Sequence, residues 1–236
     1  MTSIVSLRRD VVQIGDATIV ASSISNPYMS SPPPVGSQNE EFLRGDAIGK
    51  TFVWGGKSKL RILLPYLASM GRRPDYVFDA FIERMEFPID GHHFADEGEI
   101  SHYATLCNAF VVAIGGQHGK RRCEIADFLK SKYALRSLTM LHAKSYSCET
   151  ARFGEGLMMM PGSVVHSYTT LGNQCIVNTN ASIDHECQIG NGVHIMGGSV
   201  VTGRVRIGDY ATIGSNATIL PDLEVGEGAF VGAGAV

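Results

Sequence analysis

The sequence predicts a chain in two parts, an N-terminal Rossmann-like α/β unit followed by a left-handed parallel β-helix of hexapeptide repeats. Three observations carry that expectation. From Phe153 every sixth residue is apolar, through Met159, Val165, Leu171 and Val177 to Val231, in fourteen hexads without a break. Four positions after each of these stands a small or apolar residue, Ala181, Cys187 and Ala211 among them. Ahead of Phe153 the pattern is different: short apolar runs alternate with segments of helical period, the signature of a parallel sheet covered by helices.

Residues 1–49 are read as an N-terminal hairpin and arm. "DVVQIGDATIVA" has two short strands around Gly15 and Asp16, and "SSISNPYMSSPPPVGSQNEE" is a Ser- and Pro-rich extended stretch. Residues 50–146 form the α/β unit. "TFVWGG" is a buried strand running into glycines, and "KSKLRILLPYLASMG" is a helix with Leu60, Leu63, Leu64 and Leu67 at helical spacing, stopped by Gly71. "DYVFDA" is a second strand ending at Asp79, followed by a loop that includes His92 and His93. "AFVVAIGG" is a third strand. "QHGKRRCEIADFLKSKY" is a helix that starts on a solvated "GKRR", and "LRSLTMLH" closes the unit as its last strand. Residues 147–236 are the β-helix.

Period six belongs to neither a helix nor an ordinary strand. Each hexad supplies one short strand and a turn, and three hexads make a coil of 18 residues with the aliphatic side chain inward and the small one in the turn. A coil cannot bury enough on its own to stand alone, so coils must stack. With fewer than five coils and flat faces, several prisms are expected to associate, and a closed trimer is the natural symmetry. The pattern still holds at "GAFVGAGAV", so a cap is expected from elsewhere in the chain or from a further tail.

Bulk properties exclude other classes. A net charge of −3 of mixed sign argues against a nucleic-acid or membrane-surface protein. Five cysteines without paired spacing fit a reducing cytoplasm. No apolar run approaches the ~20 residues of a bilayer span, and the N-terminus has no signal-peptide core.

The chemistry-bearing stretch is "NTNASIDHECQIGNGVH", residues 178–194. His185 falls at the strand edge, where its ring faces outward, with Asn178 on the preceding hexad of the same coil. Gly203 lies 18 residues on, which sets side-chain-free backbone beside the imidazole. Such a ring is placed to act as a general base, with Glu186 or Asp184 fixing its tautomer. His194 falls on a different face, so the two histidines are not expected to meet within one chain. Cys175 and Cys187 occupy the small turn position and are read as packing, as is the run Met158–Met160.

Taken together, "VVAIGG" with its basic helix, the hexad array and "NTNASIDHECQIG" resemble the sugar acyltransferases of bacterial surface-glycan synthesis. That family includes sialic acid O-acetyltransferases and N-acetyltransferases of nucleotide-linked 4-amino sugars (PglD/NeuD type). The resemblance implies an acetyl-CoA-dependent, metal-free homotrimer with sites between subunits. It implies His185 as base, Glu186 as its partner, Asn178 on the substrate side and His194 near the acetyl carbonyl. Gly203, Gly214, Ser215 and Ala233 fall where backbone meets the coenzyme. Where family members carry several glycines and a histidine around the nucleotide diphosphate, this chain has "WGGKSK". Gly55, Gly56, Lys57 and Ser58 are the corresponding phosphate contacts, and Asp79 matches a base- or ribose-contacting position by location. The function implied is N-acetylation of a nucleotide-linked amino sugar of the 4-amino-4,6-dideoxyhexose type. The alternatives are sugar O-acetylation, a metal hydratase disfavoured by the spacing of His166, His185 and His194, and a non-catalytic assembly module.

Overall fold

The computed structural model describes residues 49–236 and, ahead of them, the backbone of two strands, Val11–Ile14 and Ala17–Ala21. The expected Ser- and Pro-rich arm and the turn at Gly15 and Asp16 lie outside the described residues.

Residues from Thr51 build a five-stranded, all-parallel sheet in the order His92–Phe94, Tyr76–Phe78, Thr51–Trp54, Ala109–Val112, Arg136–Ser137. The His92 and His93 read as loop residues form its edge strand. Strand alternation divides the side chains between two cores. Val53, Val77 and Val111 point one way with Leu60, Leu63 and Leu67 of the helix Ser58–Ser69. Phe52, Phe78 and Phe110 point the other way against Ile125 and Leu129 of the helix Gly119–Tyr133. Chain order reverses at Thr51–Trp54, whose neighbours are the second and fourth strands of the sheet in sequence. The loops after Trp54 and Val112 therefore open side by side, as they do at the switch point of parallel sheets.

The rest of the chain winds into a prism of three parallel sheets, stacked in the pattern of a left-handed β-helix. Residues 18 apart pair on every face, as Ile183 does with Val165 and Val201. The sixth-residue aliphatics fill the axis: Val177, Ile183, Val201 and Ile213 are completely buried. Cys175 and Cys187 are buried beside them, each thiol donating to a carbonyl of the next coil, Gly190 O and Thr202 O, at 3.1 Å. One corner carries an additional ladder, in which the side-chain oxygens of Asn173, Asn191 and Asp209 each accept the amide of the residue one coil earlier.

Strand stacking starts before the apolar period does. Met140–Leu141 pairs with Met158–Met159, and Tyr146–Ser147 with Val164–Val165. "LRSLTMLH" is thus divided: Arg136–Ser137 stays in the α/β sheet while Met140–Leu141 opens the prism.

The three prism faces differ. On the first, Met140, Met158 and Ile176 point outward into the core of the α/β unit and are buried there. The second presents Thr170, Gln188 and Glu224 to solvent. The third presents Tyr146, Val164, Ser182 and Val200, with Tyr146 56% and Val200 38% exposed. The hairpin Val11–Ile14/Ala17–Ala21 adds to the second face. Ala17–Ala21 runs antiparallel to Leu223–Val225, pairing Ile19 with Val225 and Ala21 with Leu223. The cap required by the repeat therefore comes, on that face, from the other end of the chain.

The α/β unit and prism meet with almost no gap at Gly119. A Cβ there would stand 2.2 Å from Gly192 O, so Gly119→Ala forces the helix off the prism wall. It is expected to cost ~1–3 kcal/mol, measured as a lower urea midpoint. Deleting residues 1–21 bares the Leu223–Val225 edge and should raise light scattering and lower the melting temperature. A truncated chain as soluble and as stable as the parent would make the hairpin dispensable.

Candidate functional site

His185 follows the strand Ser182–Ile183 at the corner between the third and second faces. Asp184 Oδ1 accepts the His185 amide at 2.7 Å and shapes the turn. The imidazole projects outward, 40% exposed, and its Nδ1 lies 2.9 Å from Glu186 Oε2. A carboxylate oxygen accepts, so Nδ1 carries the proton and Nε2 keeps a free lone pair. Of the two carboxylates the sequence offered, Glu186 faces the ring and Asp184 serves the backbone. Gly203 stands one coil beyond. A Cβ on it would lie 2.6 Å from His185 Nε2, so only glycine leaves the ring where it is.

Asn178 joins His194 rather than His185. Its Nδ2 lies 3.3 Å from His194 Nε2, and His194 Nδ1 lies 3.0 Å from Gly116 O. A carbonyl only accepts, so His194 donates from Nδ1 and accepts at Nε2 as a neutral ring. Gly116 belongs to the loop after Val112, so this histidine joins the prism to the switch-point crevice. Burial brings its pKa down to about 4; the Gly116 carbonyl opposes that fall, while Arg122 and Lys59 add to it.

On the other side of the crevice, Gly55 has φ +109° and no room for a Cβ, which would stand 2.8 Å from Ala113 O. Asp79 is buried, with its two oxygens accepting the amides of Gly56 at 2.8 Å and Phe81 at 3.0 Å. Its carboxylate ties the two turns together. Lys57 and Ser58 are exposed at the start of the helix Ser58–Ser69, with the Lys57 ammonium 5.7 Å from the Phe81 ring. Lys59, the second lysine of "WGGKSK", is half-buried where Lys57 is exposed. Burial, then the Arg122 charge, lowers Lys59 to about 8. Arg122, in the "GKRR" expected to be a solvated helix start, is completely buried. Its Nε donates to Gln174 O and its Nη2 to Gly192 O, at 3.1 and 2.7 Å. The run "GKRR" therefore has one arginine turned into the prism wall, a contact that local period cannot reveal.

Gly214, Ser215 and Ala233 lie together at the opposite edge of the third face. Gly214 has no space for a Cβ, which would meet Ala233 N and Val231 O at 2.6 Å. Within one chain the third face separates this corner from His185 and Gly203. Among the described residues no group of three or more His, Cys, Asp and Glu could hold a metal ion, and no helix is long and apolar enough to cross a membrane.

The family described as Bacterial transferase hexapeptide (six repeats) matches residues 186–221 and 204–236. The two-part fold is also found in solved acetyltransferases. A histidine-to-asparagine variant of perosamine N-acetyltransferase from Caulobacter crescentus, in complex with CoA and GDP-perosamine, is 24% identical with a TM-score of 0.69. That match covers 80% of this chain and 88% of the other. The acetyltransferase domain of PglB from Neisseria gonorrhoeae FA1090, in complex with acetyl coenzyme A, is 25% identical with a TM-score of 0.69, covering 80% and 91%. WeeI from Acinetobacter baumannii AYE is 21% identical with a TM-score of 0.67, covering 79% and 90%. Among curated protein sequences nothing matches.

The buried neutral His194 links stability to pH. Its folded value of about 4 lies below the ordinary 6.5, so the unfolded chain binds more protons between those values. Stability is then unpenalised above pH 6.5 and falls as pH drops toward 4, by up to about 3 kcal/mol. Urea unfolding between pH 4 and 7 should show that slope, and His194→Asn should flatten it.

Proposed function

We propose that this protein is an acetyl-CoA-dependent N-acetyltransferase acting on a nucleotide-linked amino sugar of the 4-amino-4,6-dideoxyhexose type, for surface glycan synthesis. The observation that carries the reading is the outward imidazole of His185, its Nδ1 held by Glu186 and its Nε2 free beside bare Gly203. The repeat family, and the CoA, acetyl coenzyme A and GDP-perosamine held by similar folds, support it.

In this reading the prism, expected over residues 147–236 and opened by Met140–Leu141, carries the chemistry, and the Rossmann-like unit ahead of it holds the nucleotide. Gly55, Gly56, Lys57 and Ser58 surround its phosphates, and Asp79 holds that turn in shape. His185 Nε2 accepts a proton from the sugar amine as its nitrogen attacks the thioester carbonyl, and Glu186 stabilises the imidazolium that forms. Collapse of the tetrahedral adduct breaks the C–S bond, and the imidazolium returns its proton to the departing thiolate. The Gly203 amide is the donor available to the oxyanion, since the amides of Thr202 and Arg204 donate to Ile219 O and His185 O, while Asn178 and neutral His194 border the sugar and acetyl group. Fixing both substrates in one groove supplies much of the acceleration.

A coenzyme lying on Gly214, Ser215 and Ala233 reaches His185 only if another subunit's corner is brought alongside. That requirement, and the third face with exposed Tyr146 and Val200, support a homotrimer. Five free cysteines fit a cytoplasmic location.

A thiol-release screen with acetyl-CoA against amino sugar nucleotides should identify an acceptor. His185→Ala should then lower turnover ~10²–10⁴-fold with coenzyme binding retained. Undiminished turnover would remove the base assignment, and acetylation of free hydroxy sugars alone would point to O-acetylation.

A further inference from the structure

The prism has three corners, and the left-handed residue of each turn separates one corner from the others. One corner uses Gly162, Asn180, Gly198, Asn216 and Gly234 there, the residues that adopt positive φ at least cost. A second uses Gly156, Gly192 and Gly228 among its five. The corner that bears His185 uses neither glycine nor asparagine: its residues are Tyr168, Glu186, Arg204 and Asp222, at φ +59°, +58°, +61° and +64°. Here the turn accepts backbone strain and gains a column of charge, negative, positive and negative in three successive coils.

We infer that Arg204 and Asp222 are positioning residues that keep Glu186 on the imidazole and set the protonation of His185; their part in a reaction rests on the proposed function. The column is in register with the base. The Arg204 amide donates to His185 O at 2.9 Å, and the Asp222 amide to Gly203 O at 3.2 Å. The Arg204 guanidinium binds Asp222 in bidentate fashion, Nε to Oδ1 at 2.6 Å and Nη2 to Oδ2 at 2.8 Å. This fork holds the cation toward Asp222, which leaves Glu186 Oε2 for His185 Nδ1. The four groups share one electrostatic neighbourhood. Asp222 is held below the usual carboxylate range chiefly by Arg204, with a smaller contribution from His185. Arg204 is raised chiefly by Asp222, and further by Glu186. Both partners of the ion pair are about half exposed, and such pairs contribute little to stability, so stability does not account for the strained turns.

The same corner carries Asp184 in the turn of His185 itself and, at the equivalent positions of the two preceding coils, Glu149, His166, Ser167 and Tyr168. Substitutions at 204 and 222 leave all of them in place. Arg204→Gln leaves two carboxylates near the ring and should raise the His185 pKa. Asp222→Asn frees the guanidinium to pair with Glu186 in competition with the ring, and should lower it. Opposite signs are the diagnostic.

The test is a proton–nitrogen NMR titration of the His185 ring in the full chain, assigned by its loss in His185→Gln. The expected shifts are about half a pH unit up for Arg204→Gln and about half a unit down for Asp222→Asn. The double variant should return to near the parent value, as should Arg204→Lys, with melting temperatures close to the parent throughout. The acid limb of kcat/KM for thiol release should move in the same two directions. No shift in either single variant, or shifts of the same sign, would overturn the inference. Opposite ring shifts in a protein that releases no thiol with any acceptor would leave the inference standing and remove the acetyl-transfer reading. Thiol release with an unmoved ring would do the reverse.

Discussion

Everything in the prism follows from one constraint, the return of the chain to the same lateral position every 18 residues. The inward aliphatic at every sixth residue enforces it, since a slip of one position would expose Ile183, Ile195 and Ile213 together. Once the return is fixed, side chains remote in sequence become neighbours in columns. His185 lies against Gly203, Asn173 against Asn191 and Asp209, and Glu186 below Arg204 and Asp222. The columns are narrow, about 4.8 Å per coil, so the residue allowed at one level depends on the residue at the next. Gly203 is small because His185 is there.

A second constraint is the seam. The α/β unit covers one prism face with Met140, Met158 and Ile176 in a common core, and the helix Gly119–Tyr133 approaches so closely that Arg122 has to bury its guanidinium. Two of its N–H groups find Gln174 O and Gly192 O, while Nη1 has no hydrogen-bond partner among the described residues. A buried cation of this kind raises the cost of a second positive charge nearby, which is felt at Lys59 and His194. The seam thus keeps His194 a neutral hydrogen-bonding ring, whereas His185 stands on the open corner with a carboxylate at its Nδ1. Two histidines nine residues apart have opposite chemical characters because one faces the α/β unit and the other faces solvent.

The N-terminal hairpin shows how a local feature acquires a global role. Its two strands can be read from "VVQI" and "ATIV" around Gly-Asp, but its docking on Leu223–Val225 joins residues some 200 positions apart. Nothing in either segment names the other. The start of strand stacking was hidden for a related reason. Ser147 interrupts the apolar period, yet the ladder to Val165 forms because pairing requires backbone amides and carbonyls, not apolar side chains.

The sequence by itself determined the repeat, the inward and turn positions, the outward His185 with Gly203 beside it, and the alternating strands and helices before it. All of these are periodic or local, and burial imposes its pattern on consecutive residues. Only the tertiary structure decided that Glu186 rather than Asp184 faces the imidazole, that Asn178 serves His194, that Asp79 ties two turns, and that Arg122 is buried. It also set Arg204 and Asp222 over the dyad. Those outcomes depend on which surfaces meet and at what distance, and a side chain's partner across a seam or along a column leaves no periodic trace in the chain that carries it.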